Sequence, residues 1–136
     1  MLKLIAGKKG SGKTKQLIAL VNEAVETSNG KVVCIEKGTK LTYDINHGAR
    51  LLDTDTYHVS GYDAFYGFLA GIAASDYDVK DLFVDSILKI AGDDYEKIGH
   101  LLEKVEAIFE SDVNIVLTIS AEEKDLPESV RKYIRS

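Results

Sequence analysis

Residues 7 to 14 read GKKGSGKT, three glycines and three lysines in eight residues, directly after the apolar run LKLIA. Neither glycine nor exposed lysine is good core material. The spacing fits G-x-x-x-x-G-K-[ST], with Gly7, Gly12, Lys13 and Thr14 in the fixed places. Glycine lets a loop take positive φ and brings backbone N–H groups close around phosphate oxygens. The helical pattern that follows adds its unpaired N–H groups and its dipole, which favour the same anion. The chemistry implied is the grip of a polyphosphate. Lys13 would reach the β- and γ-phosphates, and the Thr14 hydroxyl would ligate Mg²⁺. Gly10 and Ser11 complete the loop, while Lys8, Lys9 and Lys15 raise the local positive potential.

This stretch resembles the Walker A motif of the P-loop NTPase superfamily, and a strand-like run before it and a helical pattern after it give it the right setting. The resemblance implies a Walker B strand of apolar residues ending in aspartate. Leu82-Phe83-Val84-Asp85 is similar, with Asp81 departing from the pattern in the first place. Asp85 would then hold Mg²⁺ directly or through water. The strands between the two motifs suggest the ATPase-and-kinase-like branch, in which an extra strand lies beside the P-loop strand. That branch implies a polar sensor on the strand after Walker B, for which Ser120 and Thr118 are the candidates. It often carries a glutamate next to the Walker B aspartate to polarise water; Ser86 stands there, and Glu36 or Glu122 could substitute. The guanine-reading N-K-x-D signature is absent and no D-x-x-G follows Asp85, so ATP is the expected nucleotide. Helicase motifs and the LSGGQ-type transporter signature are also missing. The overall likeness is to short stand-alone P-loop ATP-binding proteins of uncharacterised function, some labelled twitching-motility ATPases. Pilus-retraction motors themselves are far longer and use acidic and histidine boxes not found here.

The rest of the chain must position these groups. At 136 residues, 45% hydrophobic and 29% charged, it suits one domain with a real core, residues 1–136. A net charge of −5 without a basic segment argues against a nucleic-acid or anionic-membrane surface. Cys34, the single cysteine, lies in the apolar run VVCI and reads as a reduced core residue of a cytoplasmic protein. His47, His58 and His100 lack zinc-ligand spacing. No signal peptide is expected, nor any run long enough to span a bilayer.

Strands are expected at Leu2 to Ala6, Lys31 to Glu36, Asp81 to Ile87 and Val113 to Ile119. Leu41, Tyr43 and Ile45 alternate with polar neighbours, and Asn46-His47-Gly48 could turn the chain so that Ala49 to Asp53 returns as a hairpin partner. Helices are expected at Thr14 to Thr27, at 61–74 with Asp63 placed for a capping box, at Asp93 to Phe109 and at Ser129 to Ile134. Strands alternating with helices imply parallel pairing, and strands apolar on both faces imply helices on both sides. The expectation is a three-layer α/β sandwich with a mainly parallel sheet of about five strands.

Three functional readings follow. The first is a weak Mg-dependent ATPase, with Lys13, Asp85, Ser120 and Glu36 as the catalytic set. Arginines are few (Arg50, Arg131 and Arg135), so an arginine finger would come from a homo-oligomer or a protein partner. The second is a nucleotide-dependent interaction module without turnover, using the aromatic helix FYGFLAG as its partner surface. The third is a small-molecule kinase, with Asp53, Asp55 and His58 near the acceptor hydroxyl.

Overall fold

The computed structural model describes residues 1–134. Five strands form one sheet: β1 (Leu2–Gly7), β2 (Lys31–Glu36), β3 (Ala49–Asp53), β4 (Val79–Val84) and β5 (Asn114–Ser120). Their order is β1-β5-β4-β2-β3 and every pairing is parallel. Between them run α1 (Lys13–Thr27), α2 (Tyr62–Ser75), α3 (Ile87–Ala91), α4 (Tyr95–Ile108) and, after a 3-10 turn at Glu123–Asp125, α5 (Glu128–Arg131). The layered α/β class and the parallel sheet are as the sequence pattern predicts. β5 lies between β1 and β4, the inserted strand that the motif spacing suggests.

Successive residues of the inner strands serve two separate cores. Val33 and Ile35 of β2, Leu82 and Val84 of β4, and Ile115, Leu117 and Ile119 of β5 face α2, α3, α4 and α5. Val32 and Cys34 of β2 and Phe83 of β4 face α1, where Leu17, Val21 and Ala24 meet them. Burial on both faces is why these strands read as continuous apolar runs. α4 buries Ile98, Leu101, Leu102 and Val105, and Asp94 caps it by accepting from the N–H groups of Glu96 at 3.1 Å and Lys97 at 3.3 Å. α2 buries only Phe65 and Leu69 fully.

Several expectations are corrected. Leu41 to Ile45 is not a strand. Asp44 N donates to Leu41 O at 3.0 Å and Ile45 N to the same oxygen at 3.1 Å, a helical turn. Leu41 and Ile45 are buried against the α1 core while Tyr43 is 98% exposed, so the spacing that counts is four residues, not two. Asn46 to Gly48 does turn the chain, but Ala49 to Asp53 then pairs parallel to β2 rather than as a hairpin. The strand expected at Asp81 to Ile87 is β4, which starts at Val79 and stops at Val84; Ile87 opens α3. No capping box forms at α2: Gly61 takes the cap position at φ 93° and no side chain bonds there. Among the described residues, no helix is long and apolar enough to cross a membrane.

The turn assignment makes a direct prediction. Ile45→Ala removes a buried anchor and should cost roughly 2 kcal/mol or more in urea unfolding, whereas Tyr43→Ala should stay within about 0.5 kcal/mol of the wild type. Equal costs for both would contradict the helical turn.

Candidate functional site

The loop from Gly7 to Thr14 leaves the carboxyl end of β1 and enters α1, the end of a parallel sheet where ligands of open α/β folds bind. Gly10 and Gly12 sit at φ 84° and 90°, a region that side chains resist. At Gly7 a Cβ would come within 2.5 Å of Ser11 Oγ, so the loop closes on itself only with glycine there. Within the loop, Ser11 N donates to Lys8 O at 3.1 Å. The N–H groups of Gly10, Gly12, Lys13, Thr14 and Lys15 have no acceptor among the described residues. They stand open at the amino end of a 15-residue helix that carries no acidic residue in its first turn. Backbone and dipole together favour an anion at this point.

A cavity of about 440 Å³ lies over these amides. Lys9, Gly10, Gly12, Lys13, Thr14 and Lys15 form one wall, and Ser86, Leu88, Lys89 and Ser120 the other. A larger hollow of about 700 Å³ opens beside β2 and β3 at the opposite end of the sheet. Shape alone would favour that hollow; the open amides and converging polar groups are at the smaller one. Lys13 is buried to 7% exposure and its Nζ donates to Lys8 O at 2.8 Å. Burial lowers its pKa below the ordinary lysine range, and the Asp85 carboxylate opposes that shift.

Asp85 follows the last residue of β4 and is 8% exposed. Its N–H donates to Ile35 O at 2.9 Å, which ties the tip of β4 to β2. Three hydroxyls converge on its carboxylate. Thr14 Oγ1 lies 3.2 Å from each oxygen, Thr118 Oγ1 donates to Oδ1 at 2.8 Å, and Ser86 Oγ reaches Oδ2 at 3.4 Å. Thr14 and Asp85 thus present a hydroxyl and an anionic carboxylate side by side, the hard oxygen donors that Mg²⁺ takes. This donor set fits the ion. The chain then turns sharply. Ser86 is left-handed, φ 60° and ψ 63°, a conformation that costs a non-glycine residue about 1–2 kcal/mol. The turn leads into α3, whose Leu88 and Lys89 line the cavity.

The other candidates lie at varying distances from this centre. Ser120 ends β5, is exposed and lines the cavity. Glu36 is 3% exposed at the tip of β2, and its Oε2 accepts from Leu41 N at 3.0 Å. Burial raises its pKa above the usual carboxylate range, Leu41 N opposes, and the charge of Asp85 adds to the rise. Glu122 pairs with Lys8 and Lys124, each at 3.7 Å. Asp53 accepts from Gly38 N at 2.7 Å, Asp55 N at 2.8 Å and Thr56 Oγ1 at 3.2 Å, so its lone pairs hold a turn. Asp55 pairs with Lys37 at 2.7 Å. Arg50 lines the larger, distant hollow, Arg131 pairs with Glu128 at 3.0 Å, and Arg135 lies outside the described residues. Burial pushes the Cys34 thiol up to about 12. Sequence reasoning missed Leu88 and Lys89, because it carried β4 through Ile87. It also missed Thr54, fully buried with no partner for its hydroxyl.

No protein-family model matches the chain, and no curated protein does. Among solved structures, the flagellar accessory protein FlaH from Methanocaldococcus jannaschii is similar, with a TM-score of 0.58 and 16% sequence identity. The match covers 96% of this chain and 65% of that one, so the chain spans about two thirds of the length of its structural neighbour. At that identity the likeness is one of fold: a five-stranded parallel sheet flanked by helices.

Glu36 gives a pH-dependent prediction. Its folded pKa is raised above the unfolded value, so the stability it contributes is present at acid pH and is lost as pH rises through the folded pKa. Glu36→Gln removes that loss and keeps an oxygen to accept from Leu41 N. Its melting temperature relative to wild type should therefore increase between pH 4 and pH 7. A difference independent of pH would show that Glu36 is an ordinary carboxylate.

Proposed function

We propose that this protein binds ATP with Mg²⁺ on the loop Gly7–Thr14 and hydrolyses it slowly. The observation that carries the proposal is the set of open backbone N–H groups at the start of α1, lining one cavity together with Thr14, whose hydroxyl meets the Asp85 carboxylate. The amides of Gly10, Gly12, Lys13 and Thr14 hold the phosphate chain. Lys13 leaves Lys8 O to meet the β- and γ-phosphate oxygens, gaining a stronger, charge-assisted partner. Thr14 and Asp85 hold the ion, which when bound neutralises charge on the phosphates. Lys8, Lys9 and Lys15 raise the local potential around the loop. Ser120, at the cavity wall, donates to the terminal phosphate or to the attacking water.

Glu36 is the general base in this reading. Its raised pKa makes it a stronger proton acceptor than an ordinary carboxylate. Its carboxylate is engaged by Leu41 N, and Ser86 occupies the position next to the aspartate. Turnover is therefore slow. The engaged Glu36 also favours a second reading, a nucleotide-dependent interaction module with no turnover.

A thermal-shift screen of nucleotides with and without Mg²⁺ tests the proposal. ATP with Mg²⁺ at a hundredfold excess over Kd should raise stability by about 2.7 kcal/mol, roughly 8 °C for a chain of this size. Lys13→Ala should abolish the shift, and Asp85→Asn should remove only its Mg²⁺-dependent part. Phosphate released without an acceptor supports hydrolysis. Tight binding with no release, together with a nucleotide-dependent change of size on a column, supports the interaction module. ADP formed only when a small hydroxyl compound is present would make the protein a kinase. Absence of any nucleotide shift would overturn the proposal.

A further inference from the structure

Thr118 stands where the pattern of β5 calls for an apolar residue. Val116, two residues earlier on the same face, packs into the α1 core, and Thr118 itself is 1% exposed. A hydroxyl buried there needs partners. It has two. Ser86 N donates to Thr118 Oγ1 at 2.7 Å, and Thr118 Oγ1 donates its single proton to Asp85 Oδ1 at 2.8 Å. These are the shortest polar contacts at the tip of β4. The other hydroxyls on Asp85 lie at 3.2 and 3.4 Å.

We propose that Thr118 is a positioning residue, whose hydroxyl locks the Asp85 carboxylate and the left-handed turn at Ser86 into one unit. Rotation of the carboxylate is stopped by the bond to Oδ1, which keeps Oδ2 beside the hydroxyl of Thr14, a residue of the cavity wall. The same oxygen fixes the Ser86 N–H, and so the direction in which α3 leaves the strand with Leu88 and Lys89. Setting the carboxylate and setting the cavity wall thus depend on one side chain from a neighbouring strand. This rests on the Mg-nucleotide reading above and extends it to a residue that touches neither nucleotide nor metal.

The test compares Thr118→Val, which keeps shape and removes the hydroxyl, with Thr118→Ser, which keeps the hydroxyl. ATP affinity is titrated in EDTA and across Mg²⁺ concentrations on variants first shown to unfold cooperatively. Exchange of the Ser86 amide hydrogen is followed in the free protein. The Val variant should lose about tenfold or more of the Mg²⁺-dependent gain in affinity, the loss typical when a partner behind a metal ligand is removed, and about twofold or less in EDTA. Its Ser86 amide should exchange faster. The Ser variant should restore both. A Val variant with a wild-type Mg²⁺ response, or a Ser variant that behaves like Val, overturns the assignment and leaves the nucleotide reading standing. Wild-type protein that binds no ATP in either buffer overturns the nucleotide reading and this assignment with it. Should Thr118→Val fold poorly, Thr118→Ala gives the same comparison.

Discussion

Thr14 and Asp85 lie 71 residues apart in sequence, and their strands are separated in the sheet by β5. Strands are spaced about 4.8 Å apart, so the axes of β1 and β4 are roughly 10 Å apart. The 3.2 Å contact between the two side chains therefore depends on how α1 docks. Leu17, Val21 and Ala24 pack with Val32 and Cys34 of β2 and Phe83 of β4, strands beyond the one that precedes the helix. The helix also contacts β5, and its first turn holds Thr14 beside the tip of β4. The site is thus a consequence of an apolar docking face. Without it the loop would still hold open amides, but no carboxylate would stand beside the hydroxyl.

The two faces of the sheet are covered unequally, and the thin one carries the helix that opens the candidate site. Four helices pack on one side. On the other side α1 is joined only by the turn that buries Leu41 and Ile45. Glu36 fastens this turn, since its buried carboxylate accepts Leu41 N. Burial and the charge of Asp85 raise its proton affinity, and the bond from Leu41 N opposes that rise. The hydrogen bond from Leu41 N offsets part of what burial of this charge costs.

Much of this frame is legible in the chain because its signals come from the backbone or from long periods. The glycines of GKKGSGKT announce positive φ, and Gly10 and Gly12 have it. The stripe of Ile98, Leu101, Leu102 and Val105 fixes α4, and the doubly apolar strands fix the layers. Short segments mislead where two periods fit equally. Leu41, Tyr43 and Ile45 satisfy an alternation of two, but Leu41 and Ile45 alone satisfy a helical turn, and the exposure of Tyr43 decides for the turn. Nothing local in the sequence separates these cases, because the choice is made by the core under α1.

The break after Val84 is illegible for a different reason. Glycine advertises a left-handed turn; serine does not, and the apolar run from Leu82 continues past Ser86 to Ile87. A non-glycine residue keeps such a conformation only where its surroundings over-determine it. Here the surroundings are a hydroxyl 32 residues away on β5, which takes the Ser86 N–H at 2.7 Å. The strain is therefore held by tertiary structure and cannot be read before the sheet is assembled. It lies where the strand must stop for Leu88 and Lys89 of α3 to line the cavity over the open amides. A glycine would relieve the strain, but it would also loosen the Asp85 backbone and remove the hydroxyl that reaches Oδ2. Strain at Ser86 and order at Asp85 are two sides of the same arrangement, and a flexible residue could not supply the second without the first.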